Sequence, residues 1–488
     1  MTALQNASKV AAKGAFYTGA SQIARMALST VSVIIVARLL TPNDYGVAAM
    51  VSPVTTFLLI FQNLGFSQAA IQAKILTQNE SSAMFWVNVL ASGAIAAIML
   101  MIAPLVGLFY NDPRAAYYTA AMSVTVLITG AGLQHIALLN RELRFKALSA
   151  IDVAVAAATL LGTAIAAIVL HSYWALWWGA AAGAVVQSVL MWRTSRFRPN
   201  LRPTISGIAS HMRFGGSITG SNLATYVSRN LDNILIAKVW GTEAVGLYDR
   251  GFKLMMYPMQ NINFPLARIM LPILSRLTGE PERFRRAYLH SVRAIALASV
   301  PGVAVIGGTS TKLIPFLLGP NWTGVVPIFH WLSLAALVLP LSHPPGWLFM
   351  AFGRGKAILR WGLFSALLVV TGFAVSVWWG PTAVALSYFI TQAIRTPPMI
   401  WYSSKGTPIR QIDLYAIALP SYLAAGIIWL VLATLSSEWS IWPLLLVGLP
   451  TSYLLAIALH AASSDGRQFL KLGWNLAGER LPVLKRIR

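Results

Sequence analysis

Apolar runs long enough to cross a membrane follow one another along nearly the whole chain. Each run has about 18 to 25 residues, and about 20 helical residues cover a hydrocarbon core of about 30 Å. Only short polar breaks separate the runs, so no stretch remains that could form a sizeable soluble domain. Backbone groups in lipid must be paired within their own segment, which a helix achieves. The sequence therefore predicts an all-α integral membrane protein.

The composition supports this class. Of the 488 residues, 57% are hydrophobic and 10% are charged, and the mean hydropathy is +0.66. These values lie far from the balance of a soluble globular protein. The chain has no cysteine, which excludes disulfides and thiolate metal sites. The first 20 residues lack the compact apolar core and small-residue cleavage site of a signal peptide, which favours a retained tail.

The apolar runs predict about fourteen transmembrane helices. Their limits are 16–39, 46–63, 84–108, 116–139, 149–170, 174–192, 214–240, 246–265, 290–311, 323–343, 357–379, 381–402, 413–435 and 440–461.

Basic residues collect in alternate breaks, and cytoplasmic loops are expected to be rich in Lys and Arg. Such breaks include RELRFK, RTSRFRPNLR, RFRR and GRGK, whereas TPNDYG, NDPRAA and GTEAVG are nearly free of basic residues, apart from Arg114. Both termini are therefore predicted to be cytoplasmic. The net charge of +23 then faces mostly anionic membrane lipids, and no nucleic-acid partner is needed to account for it.

An internal repeat organises the predicted helices. A shift of 200 residues lays VIIVARLLTPNDYGVA over NILIAKVWGTEAVGLY, so that Ala37 matches Ala237 and Gly46 matches Gly246. The shift spans six helices, so the two halves enter the membrane in the same direction. We therefore predict two six-helix lobes and two further helices. The predicted parts are an N-terminal cytoplasmic tail (1–15), an N-lobe (16–192), a cytoplasmic linker (193–213), a C-lobe (214–402), two accessory helices (403–461) and a basic cytoplasmic tail (462–488).

Two repeat-related helices carry a polar stripe within the predicted hydrocarbon region. The stripe of the seventh predicted helix consists of Ser221, Thr225, Arg229 and Asp232, and that of the first helix of Ser21, Arg25, Ser29 and Ser32. A central arginine costs on the order of 2.5–3.5 kcal/mol in lipid, so it should face water, a partner or a ligand. Arg229 has an alternative structural role, pairing with Asp232, whereas the stripe of Arg25 contains no acidic residue.

Further cations extend the predicted site. They are Arg250, Lys253, Arg293 and Arg395, and each of them has the alternative of reaching toward a membrane interface. Together with Arg25 and Arg229 they predict a cationic central cavity, with Asp232 and Asp249 as counter-charges. The planar fork of arginine suits phosphate oxygens in particular.

Several blocks of the chain resemble the Wzx-type polysaccharide flippases of the multidrug/oligosaccharidyl-lipid/polysaccharide flippase superfamily, in the branch for exopolysaccharide and colanic-acid-like polymers. The blocks are ARLLTPNDYGVAAMV, DNILIAKVWGTEAVGLYDRGFKL, MLPILSRLTGEPERFRRAYLHSVRAIAL, LIPFLLGPNWTGVVPIFHWLSLAAL and GWLFMAFGRGKAILRWGLF. The resemblance implies fourteen helices and the transfer of an undecaprenyl-pyrophosphate-linked oligosaccharide from the cytoplasmic to the periplasmic leaflet. It implies a bacterial inner-membrane location and a cationic cavity, to which the intramembrane arginines correspond.

For such a substrate, Arg25, Arg229 and Arg395 would hold the pyrophosphate. The sugar would receive hydrogen bonds from Ser21, Ser29, Asn222 and Thr225 and would stack on Tyr17, Tyr226 and Tyr257, although packing is an alternative role for these tyrosines. Rocking of the two lobes would expose the cavity to each side in turn. No cofactor is predicted, but proton or sodium coupling at Asp232 and Asp249 is a candidate means of release.

Three other functions remain open from the sequence. A cation-coupled drug exporter would share the fold, but a positive cavity would repel cationic drugs. A peptidoglycan-precursor flippase would carry a similar pyrophosphate lipid. A membrane-embedded polymerase or ligase would be expected to have a sizeable periplasmic loop with catalytic groups, and the predicted outer breaks are short. The polymerase and co-polymerase of the same export pathway are candidate partners. The segment PERFRR is a candidate docking site for a partner from the synthesis complex.

Overall fold

The computed structural model of the chain describes residues 2–62, 76–202 and 209–480, and all the regular structure in these ranges is helical. Within them, eleven helices or helix pairs are long and apolar enough to cross a membrane. The protein is therefore an all-α, multi-pass membrane protein. The count of fourteen spans stays a prediction.

The N-terminal compact unit comprises residues 1–246. Its helices are α1 (Thr2–Leu39), α2 (Pro42–Gln62), α3 (Gln78–Tyr110), α4 (Pro113–Gly130), α5 (Leu133–Arg141), α6 (Phe145–Leu170), α7 (Trp174–Ser195) and the first part of α8 (Ala209–Arg276). Helix α6 packs against both α1 and α7, and α3 packs against α4. The predicted N-terminal tail, 1–15, is helical from Thr2 onward and continues into the first span.

The C-terminal compact unit comprises residues 247–488. It contains the end of α8 followed by α9 (Pro281–Gly308), α10 (Ser310–Leu318), α11 (Val325–Ser342), α12 (Pro345–Ala351), α13 (Gly355–Ser376), α14 (Pro381–Ser404), α15 (Gln411–Leu435), α16 (Ile441–Ala461) and α17 (Ser464–Arg480). Helix α9 packs against α11, α15 and α16, so the two predicted accessory helices are part of this bundle.

Helix α8 consists of two helices joined at a kink, and they correspond to two of the predicted helices, 214–240 and 246–265. It runs for 68 residues and is interrupted at Gly241, whose φ of 81° lies in the left-handed region that favours glycine. This interruption coincides with the predicted break between 240 and 246. Neither α8 nor α14 is among the eleven apolar spans, although both contain predicted helices.

The helices direct many large apolar side chains outward. Leu108 on α3 is 72% exposed, Leu430 on α15 is 68% exposed and Leu446 on α16 is 70% exposed. Such surfaces would promote aggregation in water but suit contact with lipid chains. The outward apolar faces agree with the predicted membrane class.

The two units share a repeated arginine cap. Arg144 follows Leu143, and Arg354 follows Gly353, each preceding residue having positive φ (54° and 65°). The backbone N–H of each arginine donates to the carbonyl five residues earlier, at 3.0 Å and 2.8 Å. The Arg144 guanidinium then donates to the carbonyl of Thr194 near the end of α7, and the Arg354 guanidinium to carbonyls at the end of α14. The repeat predicted from the helix ends therefore recurs here, at an offset of 210 residues.

Candidate functional site

The predicted cavity arginine of α1 has an acidic partner that its own helix does not supply. Arg25 Nη1 lies 3.1 Å from Asp152 Oδ2 on α6, and the two side chains are 47% and 43% exposed. Nearly half of each side chain is left uncovered by the protein, so the arginine is accessible to a competing anion. The partner explains how Arg25 is tolerated within a span.

The serines of the α1 stripe differ in how far they are buried. Ser21 is buried and its hydroxyl donates to the Thr18 carbonyl at 3.0 Å, whereas Ser29 is exposed. The Lys146 ammonium lies 5.8 Å from the ring centroid of Tyr17. Helix α1 therefore meets α6 through charged and aromatic groups as well as apolar ones.

The corresponding stripe on α8 is described only in part. The side chains of Ser221, Asn222, Thr225 and Arg229 lie outside the described residues. Tyr226 donates its hydroxyl proton to the Pro53 carbonyl, and its ring lies 5.7 Å from that of Phe57. Asp232 is buried, and its carboxylate accepts a hydrogen bond from the Asn233 backbone at 2.9 Å. These contacts give Tyr226 a packing role, while a role for it in sugar binding stays a prediction.

The second half of α8 brings three of the predicted charges together. Lys253 Nζ lies 2.7 Å from Asp249 Oδ2 one turn away, and the Asp249 side chain is 8% exposed. Arg250 is also buried, and its guanidinium lies 5.9 Å from the ring centroid of Trp322. The Lys253 side chain is 58% exposed, so the buried Asp249 carboxylate pairs with an ammonium at the protein surface.

Arg293 on α9 contacts the C-terminal helix. It is buried, its Nη1 donates to the Asp465 carbonyl at 2.8 Å, and its guanidinium lies 5.5 Å from the ring of Phe469. His290, one turn earlier, approaches the same ring at 5.6 Å. These contacts anchor the start of α17, and the substrate-binding role of Arg293 stays a prediction.

Arg395 on α14 lies between helices. Its Nη1 donates to Ser365 Oγ on α13 at 2.6 Å, while its Nε is buried and has no hydrogen-bond partner in the described part of the chain. Tyr257, a predicted stacking residue on α8, is half-buried, and its carbonyl accepts a hydrogen bond from Asn261.

Sequence reasoning missed Asp152 as the partner of Arg25. An acidic residue in the run FKALSAIDVAV was a usable signal, because intramembrane acids are rare and usually paired. It also missed the contact between Arg293 and α17, for which the sequence holds no comparable signal. The described arginines share one chemical property: each presents a planar cation that binds phosphate oxygens better than a neutral donor does.

Comparison with known proteins points to one family. A family model described as "Polysaccharide biosynthesis protein" matches residues 35–327. The lipopolysaccharide biosynthesis protein WzxC of Escherichia coli (strain K12) is 22% identical over 423 residues, covering 84% of this chain and 85% of that protein. The teichuronic acid biosynthesis protein TuaB of Bacillus subtilis (strain 168) is 24% identical, covering 77% of this chain and 80% of that protein.

The fold also matches a solved transporter structure. The inward closed conformation of the lipid II flippase MurJ aligns with a TM-score of 0.73 at 11% sequence identity, covering 91% of this chain and 98% of that chain. At this identity the likeness establishes the fold alone. The described helices therefore have the MurJ-like transporter fold.

Proposed function

Because the chain belongs to the polysaccharide biosynthesis protein family, whose model matches residues 35–327, we propose that it is a flippase for a polyprenyl-pyrophosphate-linked oligosaccharide. The substrate would move from the cytoplasmic to the periplasmic leaflet of a bacterial inner membrane. There it would supply exopolysaccharide or lipopolysaccharide synthesis. The family match carries this proposal, and it agrees with the eleven helices or helix pairs of the described residues that are long and apolar enough to cross a membrane.

The physics of the substrate explains why a protein is needed. Each sugar hydroxyl left unpaired in hydrocarbon costs several kcal/mol, on the order of 4–8 kcal/mol on alkane scales. A polar, cationic path lowers that barrier while the polyprenyl chain stays in the bilayer. A transporter with the MurJ-like fold can provide such a path by alternating access.

The proposed headgroup site uses the predicted intramembrane cations. Arg25 would exchange its bond to Asp152 for a bond to pyrophosphate, because nearly half of its side chain is left uncovered by the protein and the new bond is again between opposite charges. Arg229, Arg250 and Arg395 would contribute further positive charge. Asp249 would moderate that charge, because its carboxylate already pairs with Lys253.

The bound substrate must also be released on the periplasmic side and passed to partner proteins. A membrane potential or a coupled proton or sodium ion, with Asp232 and Asp249 as candidate carriers, would help undo binding on the periplasmic side. Both termini would be cytoplasmic, next to anionic lipids. The polymerase and co-polymerase of the export pathway would take over the delivered repeat unit.

The test is the sidedness of the lipid-linked repeat unit. Spheroplasts of a polymerase-deficient strain, with and without this protein, would be treated with a membrane-impermeant glycan-modifying reagent. We expect the repeat unit to remain protected when the protein is absent and to become accessible when it is restored. Equal accessibility in both strains would contradict the proposal for that substrate.

Two rival functions are tested in the same strains. Accessibility of the peptidoglycan precursor would change if the chain moved that lipid instead. Export of a cationic dye would change if it were a drug exporter. The positive charge of the predicted site disfavours a cationic drug, whereas both lipids carry a pyrophosphate, so only the accessibility assay separates them.

A further inference from the structure

Three breaks that the sequence predicts as periplasmic meet in one cluster within the N-terminal unit. Asp112 precedes α4, where its carboxylate accepts hydrogen bonds from the Arg114 backbone at 2.9 Å and from Arg114 Nη2 at 2.7 Å. The hydroxyl of Thr242 donates to the same carboxylate at 2.8 Å. Arg114 Nη1 also donates to Asn43 Oδ1 at 2.6 Å. The carboxylate of Asp112 thus joins the NDPRAA break to GTEAVG, and the Arg114 guanidinium joins NDPRAA to TPNDYG.

A pair of glycines brings the same breaks into backbone contact. A Cβ atom on Gly46 would lie 1.8 Å from the Thr242 carbonyl oxygen, and a Cβ atom on Gly246 would lie 2.0 Å from the Pro42 carbonyl oxygen. Pro42 and Thr242 are repeat counterparts, as are the two glycines. Each repeat therefore places its glycine on the first turn of the other, which is the reciprocal pattern of a two-fold contact.

The cluster is held by polar bonds that water can replace. Asp112 and Thr242 are buried, but Arg114 is 37% exposed at its side chain. When such groups separate, they exchange their bonds for bonds to water, so the net cost of parting is far below that of opening a hydrophobic core. Because each glycine has only a hydrogen atom in place of a side chain, the two helix starts can separate and pack together again without a steric obstacle. This chemistry suits a reversible contact.

We propose that this cluster is an outer latch that closes the periplasmic face of the protein and must part in every transport cycle. The latch consists of Asn43, Asp112, Arg114 and Thr242 with Gly46 and Gly246. It joins the first turns of repeat-related helices, which alternating access would have to separate at this end. The inference rests on the proposed function for its role in transport, whereas the opening of the latch can be measured without transport.

The first experiment prevents opening. The chain has no cysteine, so a Phe109→Cys, Lys238→Cys pair can be cross-linked selectively with a short bifunctional methanethiosulfonate. These residues lie beside the latch, where Lys238 Nζ donates to the Phe109 carbonyl at 2.6 Å. We expect cross-linking to abolish transport and a reductant to restore it. Each single-cysteine protein treated in the same way should retain transport.

Unchanged transport by fully cross-linked protein would overturn the latch proposal. Failure of the parent chain, before any cross-linking, to expose the lipid-linked repeat unit would instead count against the proposed function. The two failures are therefore distinguishable in one series.

The second experiment weakens the latch and measures opening directly. Met50 is 1% exposed and its sulfur lies 3.9 Å from the Thr242 hydroxyl, so Met50→Cys can report opening through its reaction with a membrane-impermeant maleimide. We expect Asp112→Asn and Thr242→Val each to raise the labelling rate about tenfold, which corresponds to about 1.4 kcal/mol.

The matched control is Glu243→Gln, which removes an exposed carboxylate next to Thr242 and should leave labelling unchanged. If a variant is produced poorly, the other one still tests the latch. Labelling rates that do not rise in either latch variant would refute the proposal, whatever the outcome of the transport assay.

Discussion

Replacing Arg354 with alanine should destabilise the protein more than the same change at its repeat counterpart, Arg144. The Arg354 guanidinium donates to the carbonyls of Ser403, Lys405 and Tyr402 at 3.1, 2.8 and 3.1 Å. It thereby satisfies the open carbonyls at the end of α14, where a positive charge also suits the helix dipole.

The aromatic contacts of Arg354 add to this difference. Its guanidinium lies 5.1 Å from the ring of Phe349 and 5.5 Å from that of Tyr402. Arg144 donates to one helix-end carbonyl, that of Thr194 at 2.7 Å, and forms an exposed ion pair with Glu142 at 3.6 Å.

The contacts of Arg354 and those of Arg144 predict different losses in the free energy of unfolding. A hydrogen bond to a charged group contributes about 1.5–3 kcal/mol and a cation–ring contact about 0.5–1 kcal/mol, and neighbouring contributions do not add in full. We therefore expect a loss of about 3–4 kcal/mol for Arg354→Ala and about 1.5–2 kcal/mol for Arg144→Ala.

The assay is the apparent midpoint of thermal unfolding in detergent, followed by circular dichroism at one heating rate because membrane-protein unfolding is often irreversible. Arg354→Lys is the matched control: it keeps the charge but loses the planar fork, and its midpoint should fall between those of wild type and Arg354→Ala. Equal midpoints for the two alanine variants, or a lower midpoint for Arg144→Ala, would refute the reasoning.

Three further predictions concern packing, the headgroup site and pH. Gly246→Ala should lower the thermal midpoint, because overpacking against a backbone carbonyl costs about 1–3 kcal/mol or more, whereas Gly93→Ala, with nothing within 4 Å, should raise stability by about 0.5–1 kcal/mol. Arg25→Ala should reduce transport about tenfold or more while Asp152→Asn retains it, since only the arginine would bind phosphate; equal losses would show a purely structural ion pair. Burial alone would raise the pKa of Asp112, but hydrogen bonds from the neighbouring arginine and threonine hold it below its ordinary value. A carboxylate with a depressed pKa keeps its contribution until the pH falls through that pKa. Maleimide reacts with the thiolate, so the Met50→Cys labelling rate is divided at each pH by the rate for the same protein unfolded in denaturant. This ratio should stay constant between about pH 7.5 and 5, and a rise over this window would contradict the prediction.

Much of the fold could be predicted because its signals are local. The length and apolarity of each run depend only on neighbouring residues, as does the break at Gly241. The repeat was visible because Gly46 and Gly246 punctuate similar helix ends at one offset. The blocks of family resemblance are likewise local, and the matched family model confirms the family they indicated.

The partners of the charged side chains could not be predicted in the same way. Arg25 pairs with Asp152, which lies 127 residues away, and Arg293 donates to the carbonyl of Asp465, 172 residues away. Such contacts depend on the rotation of each helix about its axis and on which helices are neighbours. The hydropathy pattern predicts neither of these.

By itself, the sequence determined the membrane class, the helix-rich repeat and the family, because burial in lipid is a sum over consecutive residues. Only the tertiary structure decided that Arg114, an exception to the charge pattern of the predicted outer breaks, pairs with Asp112, whose carboxylate also accepts a hydrogen bond from Thr242. It also decided why two glycines are needed at the repeat-related helix starts, because close backbone approach exists only once the helices have packed.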